Sequence, residues 1–180
     1  MKLNVSYLYC VCIIFLVSCS EPGNDKNEVI ASLKGEEIRV SDVLTQYPVE
    51  GKYIEIYLKE EIVIREAKNR GISITEQEIK ELKGLLYPSD QPSQIEDFHG
   101  KQADFIGITA EEYFEIWSTT YLERNEYIQA YIKSEFGEPS SENVEDKWGS
   151  SVQSHIDELF EDYQENKELI IHNIEEENNE

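Results

Sequence analysis

The chain has 180 residues, with 38 acidic side chains against 16 basic ones and a formal net charge of −22. Such a balance repels phosphate, so nucleic acid and anionic lipid headgroups are excluded as electrostatic partners. A disordered acidic chain is excluded too, because 39% of the residues are hydrophobic, 11% are aromatic, and most of them recur at regular spacing.

Met1 and Lys2 make a short positive start, followed by an apolar run over residues 5–17. That run is shorter than the ~20 residues a bilayer span needs, which is the layout of a secretory signal. It ends in Leu16-Val17-Ser18-Cys19, which resembles the lipobox of bacterial lipoproteins. The resemblance implies a signal peptide over residues 1–18, cleavage before Cys19, and a diacylglycerol on its thiol. An uncleaved anchor helix with an incidental cysteine is the other reading. Ordinary signal cleavage would leave a free thiol on an exported chain. Cys10 and Cys12 would leave with the signal, so neither a disulfide nor a cysteine-based metal site is expected in the folded part. Acyl chains contribute roughly 0.8 kcal/mol per buried CH₂, so two or more of them anchor stably. The expected location is therefore the outer face of the bacterial cytoplasmic membrane, with the bilayer as a partner through Cys19.

Residues 20–27 carry Pro22 and Gly23 among polar side chains and read as a spacer behind the lipidated cysteine, with one domain over residues 28–174. Residues 29–33 and 37–40 read as the strands of a hairpin around Lys34-Gly35-Glu36, with Gly35 supplying the positive φ. Ser41 and Asp42 cap a short helix that must end before Pro48. A central helix is expected over residues 52–70, because Tyr53, Ile54, Ile56, Tyr57, Leu58, Ile62, Val63, Ile64 and Ala67 form a wide stripe; Gly71 ends it. Thr75 with Glu78, and Thr109 with Glu112, are capping-box pairs. The first opens a helix to Leu86 and the second a long helix to about Glu135.

Between them, residues 89–107 read as loop with a helical turn, and residues 137–151 as a second loop. Val152, Ile156, Leu159, Phe160 and Tyr163 then mark a helix over residues 151–165, and residues 169–174 have the length and apolarity of a strand. A terminal strand must pair, and the hairpin offers the only other strands. The fold class expected is therefore mostly α, with a small sheet of the N-terminal hairpin and a C-terminal strand. Residues 175–180 read as a solvated acidic tail.

Three segments in this order resemble the PrsA/SurA-type extracytoplasmic foldases. They are Val29-Ile30-Ala31-Ser32-Leu33-Lys34-Gly35-Glu36-Glu37-Ile38, then Leu58-Lys59-Glu60-Glu61-Ile62-Val63-Ile64-Arg65-Glu66-Ala67-Lys68-Asn69-Arg70-Gly71-Ile72, then Ile74-Thr75-Glu76-Gln77-Glu78-Ile79. The resemblance spans residues 29–174. It implies a helical domain like the SurA N-terminal and trigger-factor C-terminal chaperone domains. Relatives often insert a parvulin-type prolyl isomerase domain where this chain has only residues 137–151. A parvulin site also needs paired histidines, whereas His99, His155 and His172 fall in an expected loop, helix and strand. Isomerase activity is therefore expected to be absent.

No phosphate loop, serine elbow, His-x-x-x-His pair or calcium loop occurs in the sequence, so neither an enzyme nor a cofactor or metal site is expected. The pairs Glu60-Glu61 and Glu111-Glu112 read as solvated helix faces rather than acid/base dyads. The aromatics leave two readings open. Tyr53 and Tyr57 on one helix, with Tyr113, Phe114, Trp117 and Tyr121 on another, are either helix–helix core or a cradle for unfolded client segments. The functional expectation is a membrane-anchored, non-catalytic, chaperone-like lipoprotein that holds unfolded or secreted polypeptides. The alternative is a structural or regulatory envelope lipoprotein that grips one specific partner.

Overall fold

Lys34 and Gly35 both adopt positive φ, 51° and 85°, which joins strand β1 (Val29–Leu33) to β2 (Glu36–Arg39) through a two-residue turn. The computed structural model describes residues 26–49, 51–87, 97–139 and 145–172. Cys19, the spacer up to residue 25 and the acidic tail lie outside these. Among the described residues six helices follow the hairpin: α1 (Val40–Leu44), α2 (Gly51–Asn69), α3 (Glu76–Leu86), α4 (Asp97–Ile106), α5 (Ala110–Phe136) and α6 (Glu145–Glu165). The last strand, β3 (Leu169–Ile171), pairs antiparallel with β1 in the order β2-β1-β3. Its register sets Ala31 opposite Ile171 and Leu33 opposite Leu169. The ladder is extended at both ends, because Lys34 N–H donates to Glu168 C=O at 2.6 Å and His172 N–H to Ile30 C=O at 2.9 Å. The expected mostly helical fold, with a small sheet of the N-terminal hairpin and the C-terminal strand, is thus the one observed.

Helix ends follow local chemistry. Both capping boxes form: Thr75 N–H donates to Glu78 at 2.7 Å, and Thr109 N–H donates to Glu112 at 2.9 Å. Gly71 takes φ of 80°, and Ile72 N–H reaches back to Ala67 C=O at 3.0 Å, the six-to-one bond of a Schellman end.

Four expectations need correction. The cap of α1 is Arg39, whose N–H donates to Asp42 at 2.8 Å, rather than Ser41 and Asp42 themselves. Residues 97–106 are a full helix, α4, and not a loop with one turn. Its inward side chains include His99 and Gln102, which count as polar in a hydrophobic pattern but are buried. Part of the loop expected at residues 137–151 is likewise helix, since α6 begins at Glu145. Its first turns expose Lys147, Ser150 and Ser151 and half-bury Trp148 and Gly149, too sparse a stripe to read. The fourth concerns Glu60 and Glu61, described with the site below.

Two apolar clusters hold the domain together. Ile30, Leu33, Val40, Val43, Leu58, Ile62, Phe160, Tyr163 and Leu169 join the sheet to α1, α2 and α6. Val63, Ile64, Ala67, Tyr127 and Tyr131 join the C-terminal half of α2 to α5. Leu58 and Ile62 are closed from solvent, and each contributes about 1.5–3 kcal/mol on burial. The wide stripe of α2 serves both clusters, so this helix is central. No helix among the described residues is long and apolar enough to cross a membrane.

Candidate functional site

The aromatic residues of α5 meet those of α4 and the end of α3 in one continuous group. Trp117 packs edge-on against His99 with ring centroids 4.6 Å apart, tilts against Phe114 at 5.9 Å, and stacks on Tyr121 at 5.2 Å. Tyr87, just past α3, approaches Phe114 at 5.5 Å and Trp117 at 6.3 Å. Phe98 and His99 close the inner side against Tyr113 at 6.1 and 6.0 Å. Such edge-to-face and stacked pairs add roughly 0.5–1.5 kcal/mol each beyond area burial, so the cluster has a defined shape.

The cluster is tied to the sheet side of the molecule through α1. The Tyr113 hydroxyl donates to Leu44 C=O at 2.7 Å, and Gln46 reaches Trp117 C=O at 3.5 Å. One step further, Tyr47 stacks on Tyr53 at 5.8 Å. Burial raises the Tyr113 phenol well above its ordinary pKa.

The six aromatic candidates therefore separate. Tyr113 and Tyr57 are buried, so a client would touch them only if helices parted. Tyr53, Phe114 and Trp117 are half-buried, and Tyr121 is 42% exposed. α3 and α5 also expose apolar side chains that the sequence stripe did not single out: Leu85 at 78% exposure, Leu86, and Ile116. Their signal was present as hydrophobic residues off the expected core face of α3 and α5.

Arg124 holds α5 to α2. Its guanidinium donates to Glu60 at 2.8 Å, to Glu61, and to Tyr57 C=O at 3.4 Å, and lies 4.3 Å above the Tyr57 ring centroid. Burial opposes its charge, but Glu61, the Tyr57 hydroxyl and Glu60 together raise its pKa above the ordinary value. Glu60 also accepts from the Tyr47 hydroxyl at 2.6 Å. The pair Glu60-Glu61, expected on a solvated face, is thus half-buried and engaged, because one guanidinium presents donors to both carboxylates.

A second recess, of about 270 Å³, opens between α2, α5 and α6 over Ile56, Val63, Ile128 and Ile156. Lys59 on its rim bridges Glu55 at 2.6 Å and Asp157 at 2.7 Å. Among the described residues no group of three or more His, Cys, Asp or Glu side chains could hold a metal ion. His155 accepts from or donates to the Tyr131 hydroxyl at 2.9 Å and packs on Phe136, while His172 is exposed just past the last strand. The three histidines do not converge on one site.

No family model, curated protein or solved structure matches the chain.

Proposed function

We propose that this chain is a lipid-anchored extracytoplasmic binding protein that holds unfolded or secreted polypeptides without catalysing a reaction on them. The reading adopts lipidation at Cys19 and kinship with the PrsA/SurA-type helical chaperone domains, minus an isomerase. The observation that carries it is the aromatic cluster of Phe114, Trp117, Tyr121 and Tyr87, with Tyr121 exposed and with Leu85, Leu86 and Ile116 exposed on the same two helices, α3 and α5. Apolar surface left open on a folded protein is a common mark of an interaction site.

The mechanism is reversible burial. A client segment covering about 400 Å² of apolar surface gains about 10 kcal/mol at roughly 25 cal/mol per Å². Association and ordering cost about 4–15 kcal/mol, so the net affinity is modest and clients are released readily. The acidic exterior, at −22 overall, keeps the loaded protein from self-association.

The test is an aggregation assay with several unrelated unfolded proteins. The mature chain should slow their aggregation, and Trp117→Ala and Tyr121→Ala should lose most of that effect while keeping the helical circular dichroism. Failure of the parent protein to slow any of them sinks the reading. A measurable acceleration of proline isomerisation would overturn its non-catalytic half. The fixed edge-to-face geometry of the cluster favours one second reading, a rigid surface matched to a single envelope partner. Co-purification of one stoichiometric partner, with no effect on unrelated clients, would select it.

A further inference from the structure

The recess between α2, α5 and α6 has aliphatic walls contributed by all three helices. Val63, closed from solvent, belongs to the cluster that joins α2 to α5. Ile128 of α5 and Ile156 of α6 pack against that same cluster while staying half-buried. Ile56 stands about two turns before Val63 on the same face of α2 and is 43% exposed. Water in a space of about 270 Å³ lined this way finds few polar partners, so moving an apolar group into it is favourable. An apolar cavity of about 150 Å³ accepts benzene, so this recess has room for one phenyl or branched aliphatic side chain.

The charged residues of the rim decide what else an occupant must carry. Lys59 holds two carboxylates, Glu55 at 2.6 Å and Asp157 at 2.7 Å, and its ammonium lies 5.2 Å from the Phe160 ring centroid. Glu60, the other charged lining residue, shares Arg124 with Glu61. Two cations thus serve four carboxylates, and the surroundings of the recess keep an excess of negative charge. Glu55 and Asp157 are 55% and 43% exposed, and each carboxylate has lone pairs left for a further donor.

We propose that this recess takes one large apolar side chain of a polypeptide that carries Lys or Arg beside it, with the cation reaching Glu55 or Asp157. The proposal rests on the client-holding reading and gives it a client class, apolar segments flanked by basic residues. Other occupants are disfavoured. A fatty acid or other anionic amphiphile would bring its charge to an ammonium already bonded to two carboxylates, and would add to the negative excess. A second copy of the chain carries the same net charge of −22 and is repelled. Complementary charge also speeds the encounter with basic segments, an advantage that salt screens away.

The test uses the mature protein and an unstructured peptide that carries one benzoylphenylalanine between two lysines. Irradiation should crosslink the peptide to the recess, at Ile56, Ile128 or Ile156, as read by mass spectrometry of the digest. A competitor peptide with phenylalanine as the anchor should suppress the crosslink, and alanine in its place should raise the concentration needed at least about tenfold. Glutamates in place of the lysines should raise it about fivefold or more. Ile156→Phe, which fills the recess, should remove most of the crosslink. Ile56→Ser, at an exposed position with little bearing on folding, should weaken it about threefold. Crosslinks confined to Trp117 and Tyr121, or none at all, would overturn the proposal and leave the aggregation assay to judge client holding by itself. Equal competition by the glutamate peptide, or stronger competition by dodecanoate, would overturn the choice of occupant.

Discussion

Arg124→Met is the substitution whose effect can be worked out most fully. Methionine fills much of the volume of the arginine stem but removes every donor and the cation over Tyr57. The guanidinium is 9% exposed, whereas the Glu60 and Glu61 side chains keep 24% and 26% exposure. Breaking a buried ion pair by removing one partner costs about 3–5 kcal/mol. Two partly solvated carboxylates recover some hydration, which places the loss near the lower end, at about 3 kcal/mol. Loss of the cation above the Tyr57 ring is included in that figure. For a domain of this size the midpoint of thermal unfolding should fall by roughly 10 °C. The triple variant Arg124→Met, Glu60→Gln, Glu61→Gln removes the stranded charges and should recover at least about half of the loss. Urea unfolding followed by far-ultraviolet circular dichroism measures both. A single-variant loss below about 1 kcal/mol, or a triple variant no more stable than the single, would refute the claim that one buried cation organises the α2–α5 contact.

Two glycines should respond in opposite directions. Gly71→Ala forces a side chain into φ of 80° and should cost about 1–2 kcal/mol. Gly84→Ala, at an ordinary helical position in α3 with open space around it, should add about 0.5–1 kcal/mol; equal effects in urea unfolding would contradict the helix-end assignment. Stability should also fall at high pH. Burial raises the Tyr57 and Tyr113 phenols above their ordinary value of 10.0, so the unfolded chain releases those protons first. The stabilisation is full below about pH 10 and declines above it, by up to about 1.4 kcal/mol per pH unit for each phenol. A urea midpoint that stays level between about pH 9 and 11.5 would exclude it. On the acid side, the hydrogen bond from Lys59 lowers the Asp157 pKa below its ordinary value of 3.8. That contribution is present above about pH 4 and lost as pH falls through the lowered pKa, a dependence that Asp157→Asn should flatten.

The two capping boxes, the Gly71 stop, the hairpin and the central place of α2 were legible in the residues because their causes are local. A Thr and a Glu three residues apart satisfy each other's backbone donors wherever they occur, and Gly71 accepts a positive φ at no steric cost. Return of the terminal strand to the hairpin was legible by elimination, since an apolar terminal strand needs a partner and the hairpin alone offered one; that it pairs with β1 rather than β2 was decided in the fold. Other features were set only when distant segments met. α4 is stabilised by His99, Gln102 and Ala103 packing inward, and the pattern of polar and apolar types along residues 97–106 does not announce that side. The same holds for Glu60 and Glu61, which look like any exposed acidic pair until Arg124, more than sixty residues later, is placed between them. Which aromatics stay accessible was likewise a tertiary outcome. Tyr113 and Tyr121 belong to one helix, yet Tyr113 is closed in by Phe98 and His99 while Tyr121 keeps 42% exposure. By itself the sequence determined the local signals, namely caps, stops, the helical and strand periods and the net charge, because each depends on neighbours along the chain. Only the tertiary structure decided burial, ion pairing and the open side of the aromatic cluster, because those depend on which neighbours arrive through space.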